Sequence, residues 1–204
     1  MEFMVAVFIF SASATITPGP NNIMLMTSGL NFGAYRSLPH YLGVCIGFPI
    51  MVMLIGLGFG FLFARFPVLH NLIQIIGILY LLYLSWLIAN AAPSTLDAKQ
   101  TKPFSFFQAV LFQWVNPKAW IMATGAVAAF TSGGSDIFIQ ILLIALTFLI
   151  VAFPCTAIWL FFGVWLKKIF KNPSHQKIFN IAMASLLILS ITPTAYDLIK
   201  DFMA

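Results

Sequence analysis

The chain has 204 residues, 61% of them hydrophobic and only 7% charged, where a water-soluble domain carries roughly 25% charged residues. Ten basic and five acidic side chains cannot cover a globule in water, and apolar runs of about 18 residues or more read as membrane-spanning helices. The net charge of +5 is scattered between those runs and forms no basic stripe for nucleic acid; the absence of strand-like alternation excludes a transmembrane barrel.

Six apolar segments follow in chain order. The first, about 3–29, contains Thr17-Pro18-Gly19-Pro20-Asn21-Asn22. Ala12-Ser13-Ala14 resembles a signal-peptidase site, but no basic region precedes it and apolar character resumes after Asn22, so the segment is expected to be retained. The second and third cover about 37–64 and 69–91. A polar linker, 93–103, carries Asp97, Lys99 and Lys102. The fourth, about 104–130, is interrupted at Asn116-Pro117-Lys118 and ends in the turn Ser132-Gly133-Gly134-Ser135-Asp136. The fifth, about 137–166, precedes a basic loop at 167–177, and the sixth covers about 178–196. Cys45 and Cys155 lie inside apolar runs and read as small buried hydrophobes, with no metal or disulfide spacing.

Lys and Arg set membrane orientation. Arg36, Lys99, Lys102, Lys167, Lys168, Lys171 and Lys177 fall on one side, Arg65 and Lys200 on the other, and Lys118 within a span. Seven against two makes the first side cytoplasmic and places both termini outside the cytoplasm. The halves correspond: each begins with a long segment broken near its middle by proline and asparagine. Three spans per half force the second half to insert upside down. The expected fold is therefore all-α and polytopic: about six transmembrane helices in an inverted 3+3 repeat with broken first and fourth helices. Residues 1–92 form the first repeat, 93–103 the cytoplasmic linker and 104–204 the second. Matched breaks in such repeats mark transport sites near the bilayer midplane.

The chemistry of the breaks supports a site. Pro18 and Pro20 lack backbone donors and clash with a continuing helix, and Gly19 loosens the chain between them. Unwound backbone survives in hydrocarbon only inside protein or beside a wet cavity. The half-helix starting near Pro20 offers free N–H groups and a partial positive charge, suited to a carboxylate. Asn21 and Asn22 add donors and acceptors at the same depth. In the fourth segment Gln113 sits one turn before the break, Pro117 breaks the helix and Asn116 can bond at the break. Lys118 is a charge deep within a span, where charges are expensive and usually functional or paired. A simple kink with capping asparagines, and a Lys118 that snorkels to the interface, are the plainer readings.

Three stretches, Thr17-Pro18-Gly19-Pro20-Asn21-Asn22, Gly77-Ile78-Leu79-Tyr80-Leu81-Leu82-Tyr83-Leu84 and Gln113-Trp114-Val115-Asn116-Pro117-Lys118, resemble the hallmark motifs of the LysE/RhtB-type amino-acid exporters. Length and motif order agree over essentially the whole chain. The motifs look nearest to the cysteine/O-acetylserine and threonine/homoserine exporters. The resemblance implies a bacterial inner-membrane exporter of amino acids or close derivatives, driven by the proton gradient and needing no cofactor. The expected partners are the substrate and the lipid bilayer; a homo-oligomer is compatible with this reading, and nucleic acid is not a partner.

Proton coupling raises a difficulty, because Glu2, Asp97, Asp136, Asp197 and Asp201 all fall away from the predicted midplane. Lys118, His40 or the substrate itself must then carry the proton. His40, at the end of the second span, reads more simply as an interface residue. Three other functions compete. A channel or metal-ion exporter lacks midplane carboxylates and clustered thiols. An intramembrane enzyme would need a catalytic constellation, and His40, His70 and His175 all lie near span ends. A packing subunit could use Gly56, Gly58 and Gly60, but leaves the matched breaks unexplained.

Overall fold

The computed structural model describes residues 2–59, 61, 65–91, 102–132, 136–170 and 172–203. Most of the expected linker, with Asp97 and Lys99, the Gly133-Gly134-Ser135 turn, Gly60 and Lys171 lie outside them. Every regular element among the described residues is helical: α1 (Glu2–Ile16), α2 (Pro20–Phe32), α3 (Ala34–Leu54) with a wide turn at Ile55–Phe59, α4 (Pro67–Ala89), α5 (Phe106–Phe112) with a tight turn at Gln113–Val115, α6 (Pro117–Phe130), α7 (Ile137–Ile169) and α8 (Pro173–Met203).

Local chemistry sets these boundaries. Proline opens α2, α4 and α6, where its missing N–H would have no helical acceptor anyway. Ser105 opens α5 with a capping box: its hydroxyl accepts from the Gln108 N–H, and the Gln108 side chain accepts from the Ser105 N–H. Gly58, at φ 115°, takes a left-handed conformation and breaks the regular helix that α3 begins.

Four described helices are long and apolar enough to cross a bilayer: Ala34–Gly58, Asn71–Ala89, Ile137–Ile169 and Pro173–Lys200. Helices α1 and α2, bent by 53° at their break, make a fifth when taken as one span. The expected fourth segment is cut by Asn116 into Phe106–Val115 and the 14-residue α6. Each piece is shorter than the roughly 20 residues a crossing needs. The count is thus four or five where about six were expected. The basic loop at 167–177 also contracts, because Lys167 and Lys168 occupy the last turn of α7 and Pro173 already starts α8. Cations are favourable against the carbonyl end of a helix, and the Asn172 side chain accepts from the Ser174 N–H at 2.9 Å to start the next one.

Helix α7 is the central strut and packs against α1, α2 and α3. Helix α4 packs on α8, and α5 on α3. Close approach depends on missing side chains. A Cβ on Gly163 of α7 would strike the Met26 carbonyl of α2, and one on Gly29 would strike the Leu160 carbonyl. Gly43 and Gly47 let α5 approach α3 in the same way. Small residues are what bring helices together where lipid removes the hydrophobic drive. The outer surface carries exposed Ile9, Leu79, Ile121, Ile150 and Leu189, a face suited to acyl chains.

Candidate transport site at the paired helix breaks

The break between α1 and α2 releases carbonyls that a continuous helix would have bonded, and the chain meets each in turn. The Thr17 hydroxyl donates to the Ala14 carbonyl at 2.8 Å. The Asn22 amide donates to the Thr15 and Thr17 carbonyls at 2.7 and 2.8 Å. The Trp159 indole of α7 donates to the Ile16 carbonyl at 3.0 Å. Lys118, half-buried, donates to the Thr17 carbonyl at 2.9 Å, the Thr17 hydroxyl at 2.7 Å and the Pro18 carbonyl at 3.1 Å. Its ammonium is thereby saturated and lies against the negative end of α1.

This joins two breaks a hundred residues apart. A second link lies beside it: Asn21 and Gln113 exchange amide hydrogen bonds at 2.8 and 3.2 Å. Gln113 is fully buried and also donates to the Ala109 carbonyl at 2.9 Å. Asn116 caps α6, its side-chain oxygen accepting from the Lys118 N–H at 3.2 Å. The carbonyl of Val115, just before this break, sits against Gly77 of α4, where a Cβ would collide with it. That contact ties the Gly77 motif to the break.

A cavity of about 40 Å³, enough for a few waters, lies where the breaks meet. Of the sequence-predicted residues, Gly19, Asn21, Asn22, Asn116 and Lys118 line it. Pro18, Pro20, Gln113 and Pro117 do not; the prolines shape the breaks, and Gln113 holds Asn21. The first turns of α2 and α6 both border the cavity. In α2 the Asn21 and Asn22 N–H groups precede the first helical bond, from Ile23 to the Gly19 carbonyl, and carry partial positive charge, a setting for a carboxylate; in α6 Asn116 takes the Lys118, Ala119 and Trp120 N–H groups, so that end contributes its partial charge alone. No Asp or Glu is among the described lining residues.

The opposite wall, from Val44, Phe48, Ala152 and Thr156, was not foreseen. Thr156 bonds the Ala152 carbonyl at 2.6 Å and meets Cys45 Sγ at 3.3 Å. Thr15 also lines the cavity, and its buried hydroxyl has no partner among the described residues. These residues lie in apolar helices with nothing local to distinguish them, and only the tertiary fold brings them to the breaks. His40, expected at an interface, is instead buried, 2% exposed, and stacks near Phe104 with ring centres 5.2 Å apart. Among the described residues no group of three His, Cys, Asp or Glu side chains is placed to hold a metal ion.

Residues 12–190 match the family described as LysE type translocator. The chain is 29% identical over 184 residues to a cysteine/O-acetylserine efflux protein of Escherichia coli O157:H7, covering 90% of this chain and 92% of that one. It is 27% identical over the same length and coverage to the protein of that name from Escherichia coli strain K12. No solved structure matches the chain.

Proposed function

The chain belongs to the LysE type translocator family, and from that premise we propose that it exports amino acids or close derivatives across the bacterial inner membrane by alternating access around the paired breaks. It is a membrane transporter, not an enzyme. The observation that carries the reading is the meeting of two half-helix N-termini and Lys118 on one cavity whose lining residues include no acid. A carboxylate suits the open N–H groups at the start of α2, with the partial charge of α6 beside it, and the oxygens of Asn21, Asn22, Asn116 and Thr15 suit an ammonium. The lining offers no fixed anion for a free metal cation. The names of the relatives favour small polar amino acids such as cysteine and O-acetylserine.

The inverted repeat, residues 1–92 against 104–204, belongs to the same proposal. Exchanging the halves carries α1 and α2 onto α5 and α6, α3 onto α7, and α4 onto α8. The packing supports this exchange: α3 meets α7, α4 meets α8, and α1 against α7 is matched by α5 against α3. Joining α5 and α6 as one broken span restores six crossings, with both termini outside the cytoplasm. The halves differ in one respect. Helix α2 is buried without interruption from Asn22 to Leu30, whereas α6 buries only Ala119, Ala123 and Ala126. Counterparts in unequal surroundings exchange them as one repeat rocks against the other. We assign the driving force to the proton gradient, with the proton carried by Lys118, by His40 or by the substrate.

The test is release of labelled amino acids, with cysteine and O-acetylserine in the panel, from cells that do or do not express the chain. Accelerated release of one or a few compounds is the expected result. Unchanged release across the panel, with the protein verified in the membrane, would remove amino-acid export.

A further inference from the structure

A second cavity, of about 110 Å³, lies further along α2, and the site at the breaks does not use it. Its polar wall is Thr27, Ser28, Asn31, His40 and Lys102, and Phe104 covers part of the remainder. Ser28 lies seven residues beyond Asn21, about 10 Å along the axis at 1.5 Å per residue. His40, Val44 and Phe48 are spaced by four on α3 and share one face: His40 lines the second cavity, Val44 and Phe48 the first. The two cavities therefore stack along the α2–α3 seam. Leu25, Val44 and Ala109 form a buried apolar cluster at the level between them.

The polar groups of the second cavity are unusual for an apolar seam. His40 is almost fully buried, its Nδ1 lies 3.3 Å from Ser28 Oγ, and its Nε2 has no partner among the described residues. A buried polar atom without a partner costs stability unless something satisfies it. Thr27 commits its hydroxyl proton to the Ile23 carbonyl at 2.8 Å, so its oxygen remains as an acceptor. Lys102 supplies a cation, and no Asp or Glu is among the described lining residues.

We propose that this cavity is a second binding site for the transported zwitterion, on the Lys102 side of the apolar layer. The inference rests on the exporter reading above. Lys102 takes the substrate carboxylate, Thr27 and Ser28 oxygens accept from its ammonium, and the imidazole of His40 holds Ser28 in place. The substrate waits there and passes to the break site when Leu25 and Val44 separate. A site of this composition selects small molecules carrying a carboxylate and does not concentrate metal cations.

The test uses the full chain in proteoliposomes loaded with labelled O-acetylserine at graded concentrations. Lys102→Gln and Ser28→Ala are each expected to raise the concentration for half-maximal efflux about fivefold, with the maximal rate held within about twofold, the effect of losing one ligand hydrogen bond. Lys102→Arg is expected to restore the wild-type value. Wild-type half-saturation in both variants, with efflux intact, would overturn the second site alone. No O-acetylserine or cysteine efflux by the wild-type chain would overturn the exporter reading, and this inference with it.

Discussion

Lys118 stands twelve residues from either end of the broken 106–130 stretch, and its ammonium turns to the other break rather than toward either end. Its stabilising partners are the backbone and hydroxyl oxygens of Thr17 and Pro18. That solution was half legible. A lysine beside proline in an apolar run announces itself, but carbonyls freed by a distant break have no residue signature. Asn22 shows the converse. Its place in the break motif suggested contact with substrate; it does line the cavity, yet its amide closes the end of α1. Asn22→Ala is therefore expected to lower stability by about 1–3 kcal/mol, because the Thr15 carbonyl loses its donor, and to lower export as well. Thermal unfolding of the purified variant in detergent checks this; an unchanged midpoint with reduced export would make Asn22 a pure substrate contact.

At the scale of elements, the prolines and glycines were legible as punctuation because each removes a backbone option. Pro20 and Pro117 start half-helices, and Gly58 ends the regular part of α3. Which glycines serve packing was only partly legible. Of the Gly56, Gly58 and Gly60 alternation, Gly56 packs on the Ile141 side chain of α7, Gly58 has open space beside it and Gly60 lies outside the described residues; Gly29 and Gly163 are where α2 and α7 touch backbone to backbone. The second cavity escaped notice for the same reason: Ser28 and His40 gain meaning only when α2 and α3 lie side by side. Gly163→Val must push the Met26 carbonyl aside, and overpacking of this kind costs about 1–3 kcal/mol. Lower thermal stability and weaker export are expected together; a variant as stable as wild type would show that α2 and α7 have room to separate in the ground state.

At the scale of the molecule, membrane location was legible in composition, whereas counting apolar runs led to an expectation of about six crossings and four or five described helices qualify. The count is sensitive to the breaks, because a helix that unwinds at its midpoint presents two short pieces. The pairing of the breaks required tertiary structure, and Asn21 with Gln113 is its most direct expression. If the repeats rock about this point, tethering them should stop transport. Asn21→Cys combined with Gln113→Cys, bridged by a short thiol-specific crosslinker, is expected to abolish efflux, and a reducible linker should restore it on reduction. Full efflux by the bridged protein would mean that the breaks do not separate during the cycle.

The proposed transport mechanism turns on Lys118 joining the two breaks. The measurement that tests it most directly is efflux of labelled O-acetylserine and cysteine from proteoliposomes containing the wild-type chain or Lys118→Met, at matched amounts of folded protein. Methionine is also unbranched, one heavy atom shorter, and removes the charge and donors. Release by the wild-type chain is expected, with a loss of at least about tenfold in maximal rate for the variant, the effect of one charged hydrogen-bonding group. Wild-type rates from a folded Lys118→Met protein would contradict it and move the transport site away from the breaks.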